Sequence, residues 1–405
     1  MVRALCLGCA LLAAPAAPAQ VLPPQGTPGT FDLGTWNIEW FGSPTEGPSN
    51  NELQFRNVLA VLRQGAIDLW ALQEINDPTL FQRLRDSLHV YGLEGVLGPS
   101  TSSNPDFDLR LAFVYDPDVV APTQVGAILT SAAQYFGGRA PLQMRATVTM
   151  PDTSFEVRFI ALHAKAGATQ QDYNDRVEGS TRLKNYTDNL LPTRARFVVM
   201  GDFNDELIQS IYASSPSPYR NFLDDDDYLF ITEPFDQPGS SGDQNTYCSS
   251  STCSSGSVLD HLVSDDTLGM AYVAGSVGRY TAVLTAISGY TTTTSDHLPV
   301  FARFDLGLLT PTEPEAMPSA FAVGAPFPNP FTTQAVLPVM LDAAGLLRVE
   351  VIDALGRRVA VLADGLFPAG RHAFPLDGAT LAPGLYVVRV TGERHQAAVR
   401  LVRLP

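Results

Sequence analysis

The sequence predicts a large α/β domain followed by a small β-sandwich, and three observations support this fold class. As far as about Leu306, short apolar runs alternate with segments of helical periodicity, which is typical of an α/β domain. A stretch rich in Pro, Thr and Glu follows at residues 310–320, and this composition is typical of a stiff, solvated linker. Beyond it, residues 321–405 contain short alternating strands separated by Gly, Pro and Asp turns. A chain of 405 residues is long enough for two such domains.

The N-terminus has the features of a signal peptide at residues 1–19. Arg3 precedes an apolar run from Ala4 to Ala14, and Ala17-Pro18-Ala19 supplies the small residues of a cleavage site. A short membrane anchor is the alternative, but the run is too short for a bilayer core that needs about 20 residues. The sequence therefore predicts a secreted protein with no stable membrane span, located outside the cell or at its surface.

The positions of the cysteines are consistent with an exported protein. Cleavage after Ala19 removes Cys6 and Cys9 and leaves Cys248 and Cys253, which lie in a Ser-rich segment. In an exported chain such a pair more often closes a loop as a disulfide than binds a metal. We therefore expect a Cys248–Cys253 disulfide.

The formal net charge of −16 argues against the binding of nucleic acid through a basic surface. A divalent cation bound at the active site can supply positive charge locally, so the net charge does not exclude a phosphate substrate. The charge therefore carries less weight than the residues of the site.

The domain boundaries follow from composition. Residues 20–30 are rich in Pro and Gly and are predicted to be a disordered lead-in, the α/β domain is assigned to residues 31–305, and the linker to residues 306–320. Helical spacing of Phe55, Val58, Leu59 and Leu62 predicts one helix, and the segment Arg182–Leu191 suggests another.

Four apolar strands run through or into a polar residue, and their polar ends could converge on one edge of a sheet. The strands and their residues are Leu33–Trp40 through Asn37, Leu69–Leu72 into Glu74, Phe155–Leu162 into His163, and Phe197–Met200 into Asp202. A carboxylate such as Glu74 is costly at the end of an apolar strand unless it is paired or binds a metal. An imidazole such as His163 can donate to a phosphate oxygen or transfer a proton, although a structural histidine is the usual alternative.

The segment around Asp202 is the most informative. Gly201 permits close approach of the backbone, and Asp202 and Asn204 then project on the same side, which suits two groups that act on one phosphoryl centre. Two Asp-His dipeptides follow, at Asp260-His261 and Asp296-His297. Taken alone, each dipeptide could equally be a polar turn at the end of a strand.

The order and type of these motifs resemble the endonuclease/exonuclease/phosphatase superfamily over roughly residues 31–305. The motifs are Asn37 in TWNIEW, Glu74 in LQE, His163 in ALHAK, Asp202 and Asn204 in GDFN, Asp260 in LDH, and Asp296 and His297 in SDHLP. Arg139 in Arg139-Ala140-Pro141 also resembles the Arg-x-Pro segment of many members. The resemblance implies a four-layer α/β sandwich, in which two packed mixed sheets are flanked by helices.

The resemblance also implies roles for these residues in phosphoester hydrolysis. Asn37, Glu74 and Asp296 would hold Mg²⁺, with Mn²⁺ as the alternative ion. Asp202 and Asn204 would orient the attacking water and contact the phosphate. His163 would stabilise charge in the transition state, Arg139 would bind substrate, and His297, held by Asp260, would complete the acid/base group.

One departure concerns the pancreatic-type deoxyribonucleases, which carry a Glu-Arg pair where this chain has Leu109-Arg110. The acidic partner that this subfamily provides for the histidine at position 163 is therefore missing, unless Asp106 or Asp108 replaces it. This departure argues against a close relationship with that subfamily, whereas the resemblance to the superfamily is unaffected.

The C-terminal domain resembles the sorting domains of type IX secretion cargo. The matching segments are Pro328-Asn329-Pro330-Phe331, Asp353-Ala354-Leu355-Gly356-Arg357, Gly370-Arg371 and Pro383-Gly384-Leu385-Tyr386. Any small β-sandwich is the alternative. The resemblance implies the type IX secretion machinery as a partner.

The leading functional hypothesis is a secreted phosphodiesterase that cleaves extracellular DNA or RNA. The alternative substrate is a lipid or a small phosphorylated molecule, as in sphingomyelinase-like or inositol-phosphate-like enzymes, and the acidic charge favours it. A third hypothesis is an inactive surface-binding scaffold, but none of the expected ligands is missing. The sequence does not determine the oligomeric state.

Overall fold

The computed structural model describes residues 21–404, apart from residues 103, 152, 194, 237–243, 310–320, 325, 327–328, 342–344, 368–369 and 393–395. The chain divides into two compact units, Met1–Thr310 and Pro311–Pro405. In the described part of the chain, no helix is long and apolar enough to cross a membrane. The predicted signal peptide, with Cys6 and Cys9, lies outside the described residues.

Within its described residues, the first unit contains fourteen strands and seven α-helices. In chain order the strands are β1 (Phe31–Phe41), β2 (Leu69–Ile75), β3 (Glu94–Leu97), β4 (Arg110–Tyr115), β5 (Val120–Ala127), β6 (Leu142–Met150), β7 (Thr153–His163), β8 (Arg196–Asp202), β9 (Tyr228–Phe230), β10 (Tyr247–Cys248), β11 (Gly256–Ser257), β12 (Asp260–Asp265), β13 (Gly278–Arg279) and β14 (Val300–Phe304). The helices are α1 (Asn51–Gln64), α2 (Pro78–His89), α3 (Gln170–Asp188), α4 (Arg220–Leu223), α5 (Asp266–Gly269), α6 (Val283–Ala286) and α7 (Tyr290–Thr293).

Twelve of these strands form two mixed sheets of six strands each. The first sheet has the order β13-β14-β1-β2-β4-β3, and the second has the order β5-β6-β7-β8-β12-β9. Each sheet contains one parallel pair, β1 with β2 in the first and β7 with β8 in the second. The carboxyl ends of two strands therefore meet at one edge in each sheet.

The two sheets pack face to face around one apolar core. Leu33, Leu69 and Phe113 of the first sheet belong to the same buried cluster as Phe159 and Val198 of the second. The outer face of the first sheet packs against α1 and α2, and that of the second packs against α3. This is the predicted four-layer α/β sandwich, so the fold class is confirmed.

The second unit contains two small antiparallel sheets. Its strands are β15 (Ala322–Val323), β16 (Gln334–Leu341), β17 (Gly345–Asp353), β18 (Arg358–Phe367), β19 (Gly370–Asp377), β20 (Gly384–Gly392) and β21 (Gln396–Arg403). The sheet orders are β15-β16-β19 and β18-β17-β20-β21. Leu337 and Phe374 of one sheet share a core with Val349 and Val388 of the other. The predicted β-sandwich is therefore present.

The lead-in was predicted to be disordered, and for residues 21–30 this is wrong. Leu22 is buried, and its N–H donates to Gln64 Oε1 at 3.0 Å. The Pro23 carbonyl accepts a hydrogen bond from Tyr280 Oη at 2.6 Å. Pro and Gly lower the propensity for regular structure, but they do not prevent an extended segment from packing against a finished domain.

The start of the predicted linker also differs. Residues Leu306–Leu309 form a short 3₁₀ helix, and Leu306 and Leu309 are buried in the core between the two sheets. The apolar residues in this segment therefore belong to the first unit. Residues 310–320 lie outside the described residues.

Helix α3 begins twelve residues before the predicted Arg182. Thr169 caps it, accepting from the Asp172 N–H while the Asp172 side chain accepts from the Thr169 N–H, which is a capping box. The buried residues in the first two thirds of the helix are polar or small, including Arg176, Gly179 and Ser180. Since this face is not apolar, hydrophobic periodicity does not detect it.

The polar face of α3 is organised by a fully buried ion pair. Arg176 Nε donates to Asp205 Oδ2 at 2.7 Å, and its Nη1 donates to the carbonyls of Lys165 and Gly167 at 2.9 and 2.6 Å. Asp205 also accepts from Ser210 Oγ at 2.8 Å. The pair therefore holds together the two segments that follow β7 and β8, which carry the predicted site residues.

We expect Arg176→Met to lower the free energy of unfolding by about 3–5 kcal/mol, because it leaves the Asp205 carboxylate buried without its charged partner. Urea denaturation of the purified chain measures this loss. The control is Arg83→Met, which breaks the exposed Arg83–Glu52 pair and should cost about 1 kcal/mol or less. Equal losses in the two variants would contradict the role given to the buried pair.

Candidate active site

The predicted site residues come together at the edge where the parallel strands of both sheets end. In the register of the second sheet, Asp202 lies between His163 on β7 and Asp260 on β12. Gly201 makes the approach of β7 and β8 possible here, because a Cβ atom at this position would lie 1.9 Å from the Leu162 carbonyl oxygen. The three functional side chains are therefore neighbours because of strand pairing.

Asn37 joins the two sheets at this edge. Its buried amide nitrogen donates to Glu74 Oε1 and to Asp202 Oδ2, at 3.0 Å in each case. Its Oδ1 accepts from the Glu39 N–H at 3.0 Å. Asn37 therefore positions two carboxylates, and the oxygen with which it could bind a metal already accepts a hydrogen bond.

The backbone at this edge departs from regular strand geometry. Glu39, Trp40, Glu74 and Asn204 all have a left-handed conformation, with φ of 41°, 47°, 66° and 52°. For residues other than glycine this conformation is strained and is typical of functional sites. The side chains of β1 do not alternate regularly as far as Trp40, because a bulge interrupts the pairing of β1 with β2 after Asn37.

The bulge turns two acidic side chains towards the site. Glu74 Oε2 accepts from the Trp40 N–H at 3.0 Å, and Glu39 Oε2 accepts from the Asp296 N–H at 2.9 Å. Burial, followed by repulsion from Asp296, raises the pKa of Glu39 to about 8. Sequence reasoning gave Glu39 no role. A charged residue near the end of an apolar strand was the available signal.

His297 and Asp260 form a buried pair, as the resemblance implies. His297 Nδ1 lies 2.8 Å from Asp260 Oδ2, and its Nε2 lies 3.8 Å from Asp202 Oδ2 and 3.9 Å from Asp296 Oδ1. Burial opposes the protonated form, but attraction to Asp260, Asp202 and Asp296 outweighs it and raises the pKa of His297 well above its ordinary value. These carboxylates therefore favour the protonated imidazole.

His163 has the opposite character. Its Nε2 lies 3.6 Å from Glu74 Oε1 and 3.7 Å from Asp202 Oδ2. Burial first, then the charges of Arg139 and His297, lower its pKa well below the ordinary value. The surroundings thus shift the pKa values of the two imidazoles in opposite directions.

Asp108 does not provide the acidic partner that is missing for His163. Within the described residues, His163 Nδ1 is buried and has no hydrogen-bond partner. Asp108 instead accepts from the Thr101 N–H at 2.6 Å, Ser100 Oγ at 3.0 Å and Arg110 Nε at 2.7 Å. Its carboxylate closes the loop before β4.

Asp202 and Asn204 act as one unit. Asp202 Oδ1 accepts from the Asn204 N–H at 2.8 Å, and Asn204 Nδ2 donates to the Ala164 carbonyl at 3.2 Å. Burial is the main cause that raises the pKa of Asp202 to about 7, and the charge of Asp260 adds to it. The carboxyl group can therefore gain and lose a proton near neutral pH.

Arg139 lies beside the same segment and is partly exposed. Its Nη2 donates to the Ala164 carbonyl at 2.8 Å. Burial lowers the pKa of Arg139, against the attraction of Glu74 and Asp202. The guanidinium is thus the cation next to His163.

A hairpin of β10 and β11 completes the site. The Cys248 N–H donates to the Asp296 carbonyl at 2.7 Å, and the ring of Tyr247 lies 5.3 Å from that of His297 between centroids. Cys248 and Cys253 are joined by a disulfide within this hairpin. The expected covalent link therefore closes a loop that contacts the site.

Two groups of side chains have the spacing of a metal site within the described residues. Their ligand atoms lie within 4.8 Å of one another, and they are Glu74, His163 and Asp202, and Asp202, Asp260 and His297. Asp296 belongs to neither group. Carboxylate oxygens suit a hard divalent cation. Glu39, Glu74 and Asp296 lie close together and repel one another, and such a cation would neutralise part of their negative charge.

Comparison with known proteins identifies the family. The model of the Endonuclease/Exonuclease/phosphatase family matches residues 34–297, about two thirds of the chain. The chain belongs to this family. A search of curated proteins finds no match.

Several solved structures are similar to this family member at low sequence identity. An AP endonuclease from Archaeoglobus fulgidus is 16% identical with a TM-score of 0.50, and the alignment covers 68% of this chain and 99% of that one. The 3′-5′ exonuclease of Neisseria meningitidis is 18% identical with a TM-score of 0.49, over 68% and 99%. A family protein from Beutenbergia cavernae is 16% identical with a TM-score of 0.48, over 92% and 100%.

We expect Glu39→Gln to change how stability depends on pH when divalent ions are removed with EDTA. The raised pKa means that the folded state holds a proton that the unfolded state releases at about pH 4.5, so the wild type loses stability as pH rises from about 4.5 to about 8. The variant lacks this loss. Thermal unfolding from pH 4 to 9 measures the difference. Parallel curves for the two proteins would show that Glu39 is not protonated in the fold.

Proposed function

We propose that the protein is a secreted, divalent-metal-dependent phosphodiesterase that hydrolyses extracellular DNA or RNA. The observation that carries the proposal is the buried His297–Asp260 pair, 3.8 Å from the Asp202 carboxylate, in a family of phosphoester hydrolases. Neutral and charged hydrogen-bond donors surround one small space here. That arrangement suits phosphoryl transfer, which depends mainly on positioning and on neutralising charge.

Glu74 would hold a Mg²⁺ or Mn²⁺ ion, with Asp296 and Asn37 as the predicted further ligands. The ion would supply positive charge to the phosphate oxygens and lower the pKa of a bound water. For Asn37 this role would use the second lone pair of Oδ1, because the first accepts from the Glu39 N–H. Glu39 is a nearby carboxylate with which the ion could be shared.

The side chains of the protein supply the proton transfer, hydrogen bonding and phosphate binding that the reaction needs. Asp202, whose pKa is about 7, accepts the proton of the attacking water. His297, held as a cation by Asp260, donates to the phosphate or to the departing oxygen. His163, kept neutral by burial, and the Asn204 amide donate hydrogen bonds to the equatorial oxygens, and Arg139 binds the flanking phosphate.

A lipid or small phosphodiester is the second candidate substrate, and the charges around the site favour it. Lys165 lies 2.6 Å from Asp172, and Arg110 lies 2.7 Å from Asp108, so both cations are already paired. The net charge of −16 is also unfavourable for a polynucleotide. The name of the family covers both nucleases and phosphatases, so membership alone does not favour a polynucleotide.

Secretion and cell-surface location rest on the predicted signal peptide at residues 1–19 and on the resemblance of residues 321–405 to a type IX sorting domain. The disulfide supports an oxidising environment. Fractionation of cells that express the full chain, with and without residues 321–405, tests this part of the proposal. Retention of both forms in the cytoplasm would contradict it.

We expect Asp202→Ala and His297→Ala each to lower hydrolysis by about 10²- to 10⁴-fold, because each removes a proton-transfer group. Purified residues 20–405 are assayed with plasmid DNA, RNA, sphingomyelin and bis-p-nitrophenyl phosphate, in Mg²⁺, Mn²⁺ or EDTA. The controls Asp224→Ala and His89→Ala break exposed ion pairs and should leave the rates unchanged.

The substrate panel separates the candidates. Cleavage of nucleic acid that both active-site variants lose supports the nuclease. Cleavage of only the lipid or the small diester would support the proposed reaction but contradict the nuclease hypothesis. Absence of turnover with every substrate would favour the scaffold hypothesis.

We expect Mg²⁺ or Mn²⁺ to raise the melting temperature, since an ion that binds only the folded state stabilises it by about 3 kcal/mol at a hundred times its dissociation constant. Glu74→Gln should weaken this effect because it removes a carboxylate ligand. Differential scanning fluorimetry with a metal titration measures both. A shift that persists unchanged in Glu74→Gln, or is absent in the wild type, counts against the metal site.

A further inference from the structure

Thr246 is a fully buried residue directly before β10 that belongs to none of the predicted motifs. Its hydroxyl oxygen accepts two backbone hydrogen bonds, from the Leu259 N–H at 2.9 Å and from the Asp260 N–H at 3.0 Å. These N–H groups lie where β12 begins. The hydroxyl therefore fixes the backbone of the residue that pairs with His297.

The backbone of Thr246 fixes the other half of the pair. Its carbonyl accepts from the Leu298 N–H at 2.7 Å, directly after His297. Its own N–H donates to the Ser257 carbonyl at 3.0 Å. Thr246 thus joins the segment that carries Asp260 to the segment that carries His297.

These contacts fix the relative positions of Asp260 and His297, whose side chains are hydrogen-bonded although they lie 37 residues apart in sequence. The Leu259 carbonyl also accepts from the Phe203 N–H at 2.8 Å, next to Asp202. Three segments with functional side chains therefore meet around one threonine. Residues of different segments keep a common geometry only if their backbones are fixed to one another.

We propose that Thr246 is a positioning residue for the Asp260–His297 pair. The proposal rests on the proposed phosphodiesterase function. Thr246 acts through the backbones of Asp260 and Leu298 and touches neither substrate nor ion. Its hydroxyl and its carbonyl hold the two residues of the pair at hydrogen-bonding distance.

The test compares two substitutions of nearly equal size. Thr246→Val keeps the shape of the side chain but leaves the N–H groups of Leu259 and Asp260 without their acceptor, whereas Thr246→Ser keeps the hydroxyl. The control is Thr187→Val, because Thr187 of α3 is also fully buried and its hydroxyl lies 2.8 Å from Tyr228 Oη. Thr246→Ala is the second variant if Thr246→Val does not fold.

In the kinetic arm, kcat and KM are measured on the diester that the wild type cleaves best. We expect kcat to fall by about 10- to 100-fold in Thr246→Val with little change in KM, because the substrate still binds but the pair is misplaced. Thr246→Ser and Thr187→Val should retain kcat. Equal kcat in Thr246→Val and the wild type, or equal losses in Thr246→Val and Thr187→Val, would overturn the proposal.

The second arm does not depend on activity. Proton NMR of ¹⁵N-histidine-labelled protein detects the Nδ1–H of His297, which is assigned by its loss in His297→Gln. We expect its downfield signal in the wild type, Thr246→Ser and Thr187→Val, and a shifted or broadened signal in Thr246→Val. An unchanged signal in Thr246→Val would overturn the proposal. If the wild type cleaves no phosphoester, the proposed function fails, and this arm still decides the role of Thr246.

Discussion

Repulsion among carboxylates at one buried edge is the constraint on which the site depends. Glu39, Glu74, Asp202, Asp260 and Asp296 are held within a short distance of one another, and burial deprives them of the solvation that usually supports their charge. The protein compensates in part with one protonated imidazole, His297, and with amide donors such as that of Asn37. The remaining negative charge makes this edge suited to a divalent cation, whose own charge would then attract a phosphate.

Such a group of charges stays in place only because the surrounding backbone is rigid. Strand pairing places Asp202 between His163 and Asp260, and hydrogen bonds from the Asn37 amide join one sheet to the other. The strained residues at the ends of β1 and β2 lie within this network, which holds conformations that a free chain would leave. The Arg176–Asp205 pair likewise holds the loops after β7 and β8 in place.

Much of the fold and of the site follows from sequence because both depend on local patterns. The apolar strands that end at Glu74, His163 and Asp202 are visible as short runs, and parallel pairing brings such ends together. What sequence reasoning missed depends on contacts between distant segments. Examples are the packing of Leu22, which needs Gln64, and the buried polar face of α3, which needs Asp205. Glu39 was overlooked because a bulge, and not alternation, decides where its side chain points.

The packed lead-in has a consequence for maturation of the chain. The carbonyls of Pro23 and Gln25 accept hydrogen bonds from Tyr280 and Arg303, so these residues, a few positions after the predicted cleavage point, already belong to the folded unit. A protease that trimmed the N-terminus produced by this cleavage would reach a packed segment within a few residues. Cleavage at the predicted position would therefore leave a tail too short to be removed further without loosening the domain that it borders.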